Sequence, residues 1–231
     1  MSETGGILAL IPGYNEAAGI AQVVRGAAAS LPVLVVDDGS KDGTAEVAEE
    51  AGATVLRQIP NQGKGAALRM GFRHALEHGY EAVLTLDADG QHDPAEIPAF
   101  LECYRKSGAP LIIGARDFRQ MPFVRRLSNR FARATFSQAV GRKVLDNQSG
   151  YRLIGAPLLR LLQDSTERGF EFEVEMIAVC VRERMALEWV PISTIYGDEG
   201  SHISPIAHTV HFLRILRKAR QLVGQPARLD A

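Results

Sequence analysis

The 231-residue sequence contains only two cysteines, Cys103 and Cys180, and both sit in apolar helical patterns. A disulfide framework is therefore not expected, and a reducing compartment is. No His/Cys cluster has the spacing of a zinc site. No uninterrupted apolar run approaches the roughly 18–20 residues that cross a bilayer. The opening Met1-Ser2-Glu3-Thr4 lacks the basic and apolar segments of a signal peptide. The expected location is the cytoplasm, with peripheral attachment at the cytoplasmic face of the membrane also allowed. Neither a P-loop nor a G-x-G-x-x-G after the first strand is present, so kinase and dehydrogenase readings fall. There is no internal repeat, low-complexity tract or clear linker, and one domain over residues 1–231 is expected.

With 46% hydrophobic and 23% charged residues, the chain reads as globular, neither disordered, collagen-like nor a coiled coil. A large net charge is also missing, since the formal total is −1. That average hides a division. Residues 1–100 carry 6 basic and 14 acidic side chains, and residues 101–231 carry 20 and 13. Residues 116–143 alone hold eight Arg/Lys against the single acid Asp117. Such asymmetry points to two tasks in one chain, one involving an anion. No nucleic-acid partner is expected.

Apolar runs at 7–11, 33–36, 54–56, 82–86 and 111–114 alternate with helical patterns at 17–30, 42–51, 64–78 and 94–107. This order predicts an α/β fold with a mostly parallel sheet and helices on both faces. Ser40 or Asp42 can cap the second helix, and Asp93-Pro94 opens the fourth. Beyond residue 115 the pattern predicts helices at about 124–140, 157–163 and 172–184. A strand at 186–191 and a final helix at 205–222 follow, with Asp146–Tyr151 read as a turn.

Ligands in open parallel sheets bind at the carboxyl ends of the strands. Here those ends read Pro12-Gly13-Tyr14-Asn15-Glu16, Asp37-Asp38-Gly39-Ser40 and Asp87-Ala88-Asp89-Gly90-Gln91-His92. One acidic strand end is as readily a turn or a cap; three in one chain point to a site. Asp87 and Asp89 can reach a hard cation that keeps waters and binds phosphate oxygens, with Gln91 or His92 completing the set. Asn61-Gln62-Gly63-Lys64-Gly65 opens a helix whose N-terminus can face phosphate, or is simply a glycine-rich turn with a solvated lysine.

In order and spacing these motifs resemble family 2 glycosyltransferases, and within them the dolichyl- or polyprenyl-phosphate mannosyltransferase group. Gly114-Ala115-Arg116 resembles that group's G-S-R element, and Gln148-Ser149-Gly150-Tyr151-Arg152 its S/T-G-F-R element. The resemblance spans about residues 7–200. It implies the GT-A fold, a nucleotide-sugar donor, and Mg²⁺ or Mn²⁺. It also implies inverting transfer of a hexose, with mannose from GDP-mannose favoured over UDP-sugars, to a polyprenyl or dolichyl phosphate. Pro12, Tyr14, Glu16 and Asp38 would line the nucleoside pocket, with Val36 packing on the base. Lys64, Asp87 and Ala88 would lie along the donor. Asp89 and Gln91 would hold the metal, and Arg116 would contact donor phosphate or sugar. Asp87, Asp89 and Arg116 form the expected catalytic set within a donor half at 5–115.

A lipid phosphate is already ionised and needs cationic recognition rather than a general base. Arg130, Arg133 and Arg152, in an acceptor half at 116–204, are the candidates, with Arg125 and Arg126 toward anionic headgroups; each is equally a solvated helix face. The group's acceptor loop offers Arg and Lys around a Gly-x-Ser core. Here Ser201 matches, while Asp198, Glu199 and His202 depart from the pattern; His202 can still bind phosphate when protonated. The basic amphipathic helix at 205–222 can lie in a membrane interface or pack on the domain. Glu171, Glu173 and Glu175 after Gly169-Phe170 resemble the group's acidic helix start and are more simply read as dipole-stabilising residues. A membrane-protein partner would fit a lipid acceptor met at the surface. Two rival readings keep the donor site: transfer to a glycan or small alcohol, and a sugar-nucleotide-binding module without turnover.

Overall fold

The computed structural model describes residues 6–116, 123–169, 171–193 and 205–228, with the side chains of 123–129, 131 and 205–213 left aside. Among these described residues seven strands form one sheet: β1 (Ile7–Gly13), β2 (Val33–Asp37), β3 (Thr54–Arg57), β4 (Ala82–Thr85), β5 (Leu111–Arg116), β6 (Arg152–Gly155) and β7 (Leu187–Ile192). Their order is β3-β2-β1-β4-β6-β5-β7. All are parallel except β6, which runs antiparallel between β4 and β5. The mostly parallel α/β architecture is thus as the sequence predicts, and each of the six predicted strands is present. The seventh, β6, was not predicted. Its four residues directly follow a turn and directly precede a helix, leaving no room for a strand-length pattern.

Every residue of β1 and β2 is buried, as expected of strands covered on both faces. Alternation along them sorts two cores. Leu8, Leu10, Leu34 and Val36 face α3 (Lys64–Glu77), α6 (Ala156–Leu162) and α7 (Glu171–Arg182). Ile7, Ala9, Ile11, Val33 and Val35 face the other side, toward α1 (Ile20–Ala28), α2 (Thr44–Glu50) and α4 (Ile97–Ser107). Burying each such aliphatic side chain stabilises the fold by about 1.5–3 kcal/mol. Helix α3 lies close on β1, since a Cβ on Gly71 would stand 2.4 Å from Leu10.

The Asp93 carboxylate accepts from Ala95 N–H at 2.9 Å and caps the short turn that leads into α4. Helix α2 starts at Gly43 without a side-chain cap. Asp42 there accepts from both the N–H and the hydroxyl of Thr44. In the second half α5 (Phe123–Val140) and α8 (Pro205–Val223) complete the fold. Over the described part of α8, Ile215, Leu216, Ala219, Leu222 and Val223 pack on the core. Arg214, Arg217 and Arg220 stay exposed. This part of the helix turns its apolar side to the domain. Among the described residues no helix is long and apolar enough to cross a membrane.

Candidate active site

Segments that follow β1, β2 and β4 meet the start of α3 at the carboxyl edge of the sheet. They enclose a cavity of about 410 Å³, a size typical of small-molecule sites. Pro12, Tyr14, Glu16, Asp38, Lys64, Asp87, Ala88 and Asp89 all line it. The first two segments are tied into one rim. Asn15 N–H donates to Ser40 Oγ at 2.9 Å, and Lys41 N–H donates to Asn15 Oδ1 at 3.0 Å. Glu16 N–H reaches Thr44 Oγ1 at 2.8 Å, and Ala17 N–H reaches Asp42 Oδ2 at 3.0 Å. Asn15 has φ 58, a left-handed conformation that asparagine tolerates better than most residues. The Thr44 hydroxyl, with Ala17 N–H, holds the Asp42 carboxyl below its usual range.

Asp38 lines the cavity but its oxygens serve the β3–α3 loop. Oδ1 accepts from Gln58 Nε2 at 2.6 Å and Gln62 N–H at 2.8 Å, and Oδ2 accepts from Gly63 N–H at 2.7 Å. That loop delivers Lys64, whose Nζ lies 2.5 Å from Asp87 Oδ1 and 2.8 Å from Glu173 Oε1. Burial works against the ammonium form, but the two carboxylates outweigh it and hold Lys64 above its ordinary value. For Asp87 burial likewise favours the neutral form, and Lys64 with His92 outweighs it, so the carboxylate is held below its usual range. His92 is buried, which pushes its pKa below the usual histidine value. Its Nδ1 accepts from Asp87 N–H at 3.2 Å.

The turn at 146–150 closes the far wall. A Cβ on Gly150 would stand 2.5 Å from Asp87 Oδ2, so only glycine lets this backbone approach the carboxylate. Arg116 makes a bidentate pair with the buried Asp146, at 2.7 and 3.0 Å. The same carboxylate accepts from the N–H groups of Gln148 and Ser149.

Several expected site residues lie elsewhere. Val36 is fully buried in the core on the α3 side of the sheet, because its strand position turns it away from the rim; it is not part of the cavity lining. Gln91 is outside the cavity lining, and its N–H donates to Asp89 Oδ1 at 2.9 Å. Arg116 stands behind the lining, held by Asp146, while its charge helps depress the Asp87 pKa. Arg152 is only 1% exposed. Its guanidinium donates to the carbonyls of Ser149 at 2.7 Å, Asn147 at 3.2 Å and Glu173. It is thus an internal strut and not an acceptor-binding arginine. Arg133 is half-buried and donates to Leu145 O at 3.0 Å, whereas Arg130 is exposed. Ser201 and His202 lie outside the described residues, as do the side chains of Arg125 and Arg126.

The glycine-rich start of α3 has a packing explanation. Gly65 N–H donates to Arg168 O at 2.8 Å. A Cβ on Gly63 or Gly65 would stand 2.4 Å from Arg168 O or 2.6 Å from Glu167 O. Sequence reasoning missed two members of the site. Glu173 looked like one of three acids at a helix start, and only its ion pair with Lys64 of the neighbouring α3 distinguishes it. Asp146 carried no signal beyond its place in a turn.

Among the described residues no three His, Cys, Asp or Glu side chains cluster as a metal cage. The exposed Asp89 carboxylate at the cavity wall suits a hard cation instead, one that takes few protein ligands and keeps waters and phosphate oxygens. Asp87 fits that role less well, because it is already engaged by Lys64.

Residues 9–160 match the family described as Glycosyl transferase family 2. An undecaprenyl-phosphate mannosyltransferase of Micrococcus luteus is 33% identical over 212 residues, covering 84% of this chain and 85% of that protein. A UDP-N-acetylglucosamine–dolichyl-phosphate N-acetylglucosaminyltransferase of Methanococcus voltae is 27% identical over 217 residues, covering 83% and 86%. Among solved structures, glucosyl-3-phosphoglycerate synthase of Mycobacterium tuberculosis, in complex with Mn²⁺, UDP and glucosyl-3-phosphoglycerate, superimposes with a TM-score of 0.71. It shares 20% identity, covering 96% of this chain and 81% of that one.

Proposed function

The chain belongs to glycosyltransferase family 2 and has the GT-A fold, and we propose that it moves a hexose, mannose in the first instance, from a nucleoside-diphosphate sugar to a polyprenyl phosphate. The observation that carries the proposal is the cavity itself. It lies where three strand ends meet, and its wall sets an exposed carboxylate, Asp89, beside the paired charges of Asp87 and Lys64. The acceptor class is supported by the named activities of relatives that match more than four-fifths of the chain. Those names differ in the sugar, so the donor base is the finer point to test.

The half-exposed Tyr14 ring and the Pro12–Glu16 rim face the nucleoside. Asp38 shapes the base end of the pocket indirectly, by fixing the β3–α3 loop. Asp89 would hold Mg²⁺ or Mn²⁺, which would supply charge stabilisation for the departing diphosphate. Lys64 adds a fixed cation in a water-poor wall, where such a charge counts most. Arg116, oriented by Asp146, contributes positive potential from behind Asp87. The acceptor phosphate attacks the anomeric carbon directly with inversion and needs no base. Arg130, exposed on α5, is a candidate cation for it, and Ser201 and His202 are further candidates. A lipid acceptor also implies work at a membrane surface.

The test is transfer from radiolabelled GDP-mannose and UDP-sugars with Mn²⁺ and polyprenyl phosphate. Label partitioning into the lipid phase is the expected result. Label found only in water-soluble products overturns the acceptor. Calorimetry with GDP and UDP then settles the base.

A further inference from the structure

We propose that Glu173 is a positioning residue that holds the Lys64 ammonium at the cavity wall, so that this cation stands ready for the donor diphosphate. The inference rests on the nucleotide-sugar reading of the cavity. A lysine is a point charge on a flexible four-carbon stem, and one partner does not fix it. Lys64 has two partners on different elements, Asp87 after β4 and Glu173 on α7, at 2.5 and 2.8 Å. Glu173 is 3% exposed, so it stands inside the wall. Its own place is held on both sides. The Arg152 guanidinium grips the Glu173 carbonyl. The preceding Phe172 is buried, with its ring 5.9 Å from Phe72 of α3. The lead-in to α7 is bonded to the start of α3 through Gly65 N–H and Arg168 O. Lysine and glutamate thus ride on two helix starts locked to each other, while Asp87 belongs to the strand-end segment that also carries Asp89. Glu173 therefore gives Lys64 an anchor independent of the segment that carries Asp87 and Asp89.

Glu173 then acts through Lys64 and not on the acceptor, and the test separates these roles. The first arm needs no substrate: the acylation rate of Lys64 in the free protein, read by mass spectrometry. E173Q is expected to speed it at least about threefold, because an ammonium released from a buried carboxylate is less strongly held. An unchanged rate overturns the proposal. The second arm is a double-mutant cycle in turnover. E173Q alone is expected to lower kcat at least about tenfold with a smaller change in donor KM, since the cation matters most as charge develops. E173D should recover part of that loss, and E173Q added to K64Q should cost nothing further. An equal loss in the K64Q background would show that Glu173 acts independently, and it too overturns the proposal. Circular dichroism and Tm of each variant separate misfolding from mispositioning. Faster labelling of Lys64 in a protein that transfers no sugar would leave the clamp standing and remove the donor reading.

Discussion

Asp87 and Asp89 stand two residues apart and have opposite surroundings. Asp87 is enclosed by Lys64, His92 and the Gly150 backbone, while Asp89 faces the open cavity. Asp89→Ala is therefore expected to lower turnover about 10²-fold or more by removing the cation's protein ligand. Its stability should stay within about 0.5 kcal/mol, as for other exposed positions. Paired kinetics and thermal melts check this. Gly150→Ala is the converse case. Its Cβ would strike Asp87 at 2.5 Å, an overpacking that costs about 1–3 kcal/mol, so both activity and Tm should drop. Cys180 is buried and its thiol is pushed up to about 12 by that burial. A thiol reagent at pH 7.5 should label it only after denaturation; labelling in the folded protein would contradict the packing. Placement at the cavity was legible where a side chain sits on a motif at a strand end, as with Pro12, Tyr14, Asp87 and Asp89. It was not legible where burial decides. Arg152 reads as a surface cation, because arginine is seldom fully buried without partners, and its three carbonyl partners come from two segments, the 146–150 turn and the start of α7.

The arrangement of elements depends on that arginine. Strand β6 begins at Arg152 directly after the 146–150 turn, and the guanidinium joins this turn to the first turn of α7. Arg152→Met would leave three buried carbonyls without a charged donor, at about 1–3 kcal/mol each. A loss of about 3 kcal/mol or more is expected, or roughly 6–12 °C in Tm for a chain of this size. Calorimetry or a fluorescence melt measures it, and a Tm within 2 °C of the parent would contradict the strut. Strands β1, β2, β4 and β5 were readable because strands buried on both faces demand continuous aliphatic runs, while β3 and β7, part-exposed at the two edges of the sheet, showed as short apolar runs. Strand β6 was hidden because its antiparallel pairing is set by tertiary contacts with β4 and β5. The Asn61–Gly65 segment shows the same limit. Its glycines suggested a phosphate cradle, yet close packing on the Glu167 and Arg168 carbonyls accounts for them.

At the scale of the whole molecule, a formal charge of −1 covers two regions of opposite sign. The acidic first part supplies the strand-end carboxylates of the cavity, and the more basic second part supplies Arg130 and the exposed arginines of α8. The central claim is that the cavity delivers a sugar from a nucleoside diphosphate to a lipid phosphate. The most direct test incubates purified protein with radiolabelled sugar nucleotide, Mn²⁺ and polyprenyl phosphate, alongside the Asp89→Ala variant. The account predicts label in the lipid phase for the parent and none above background for the variant. Equal lipid labelling by both, or label confined to water-soluble products, would contradict it.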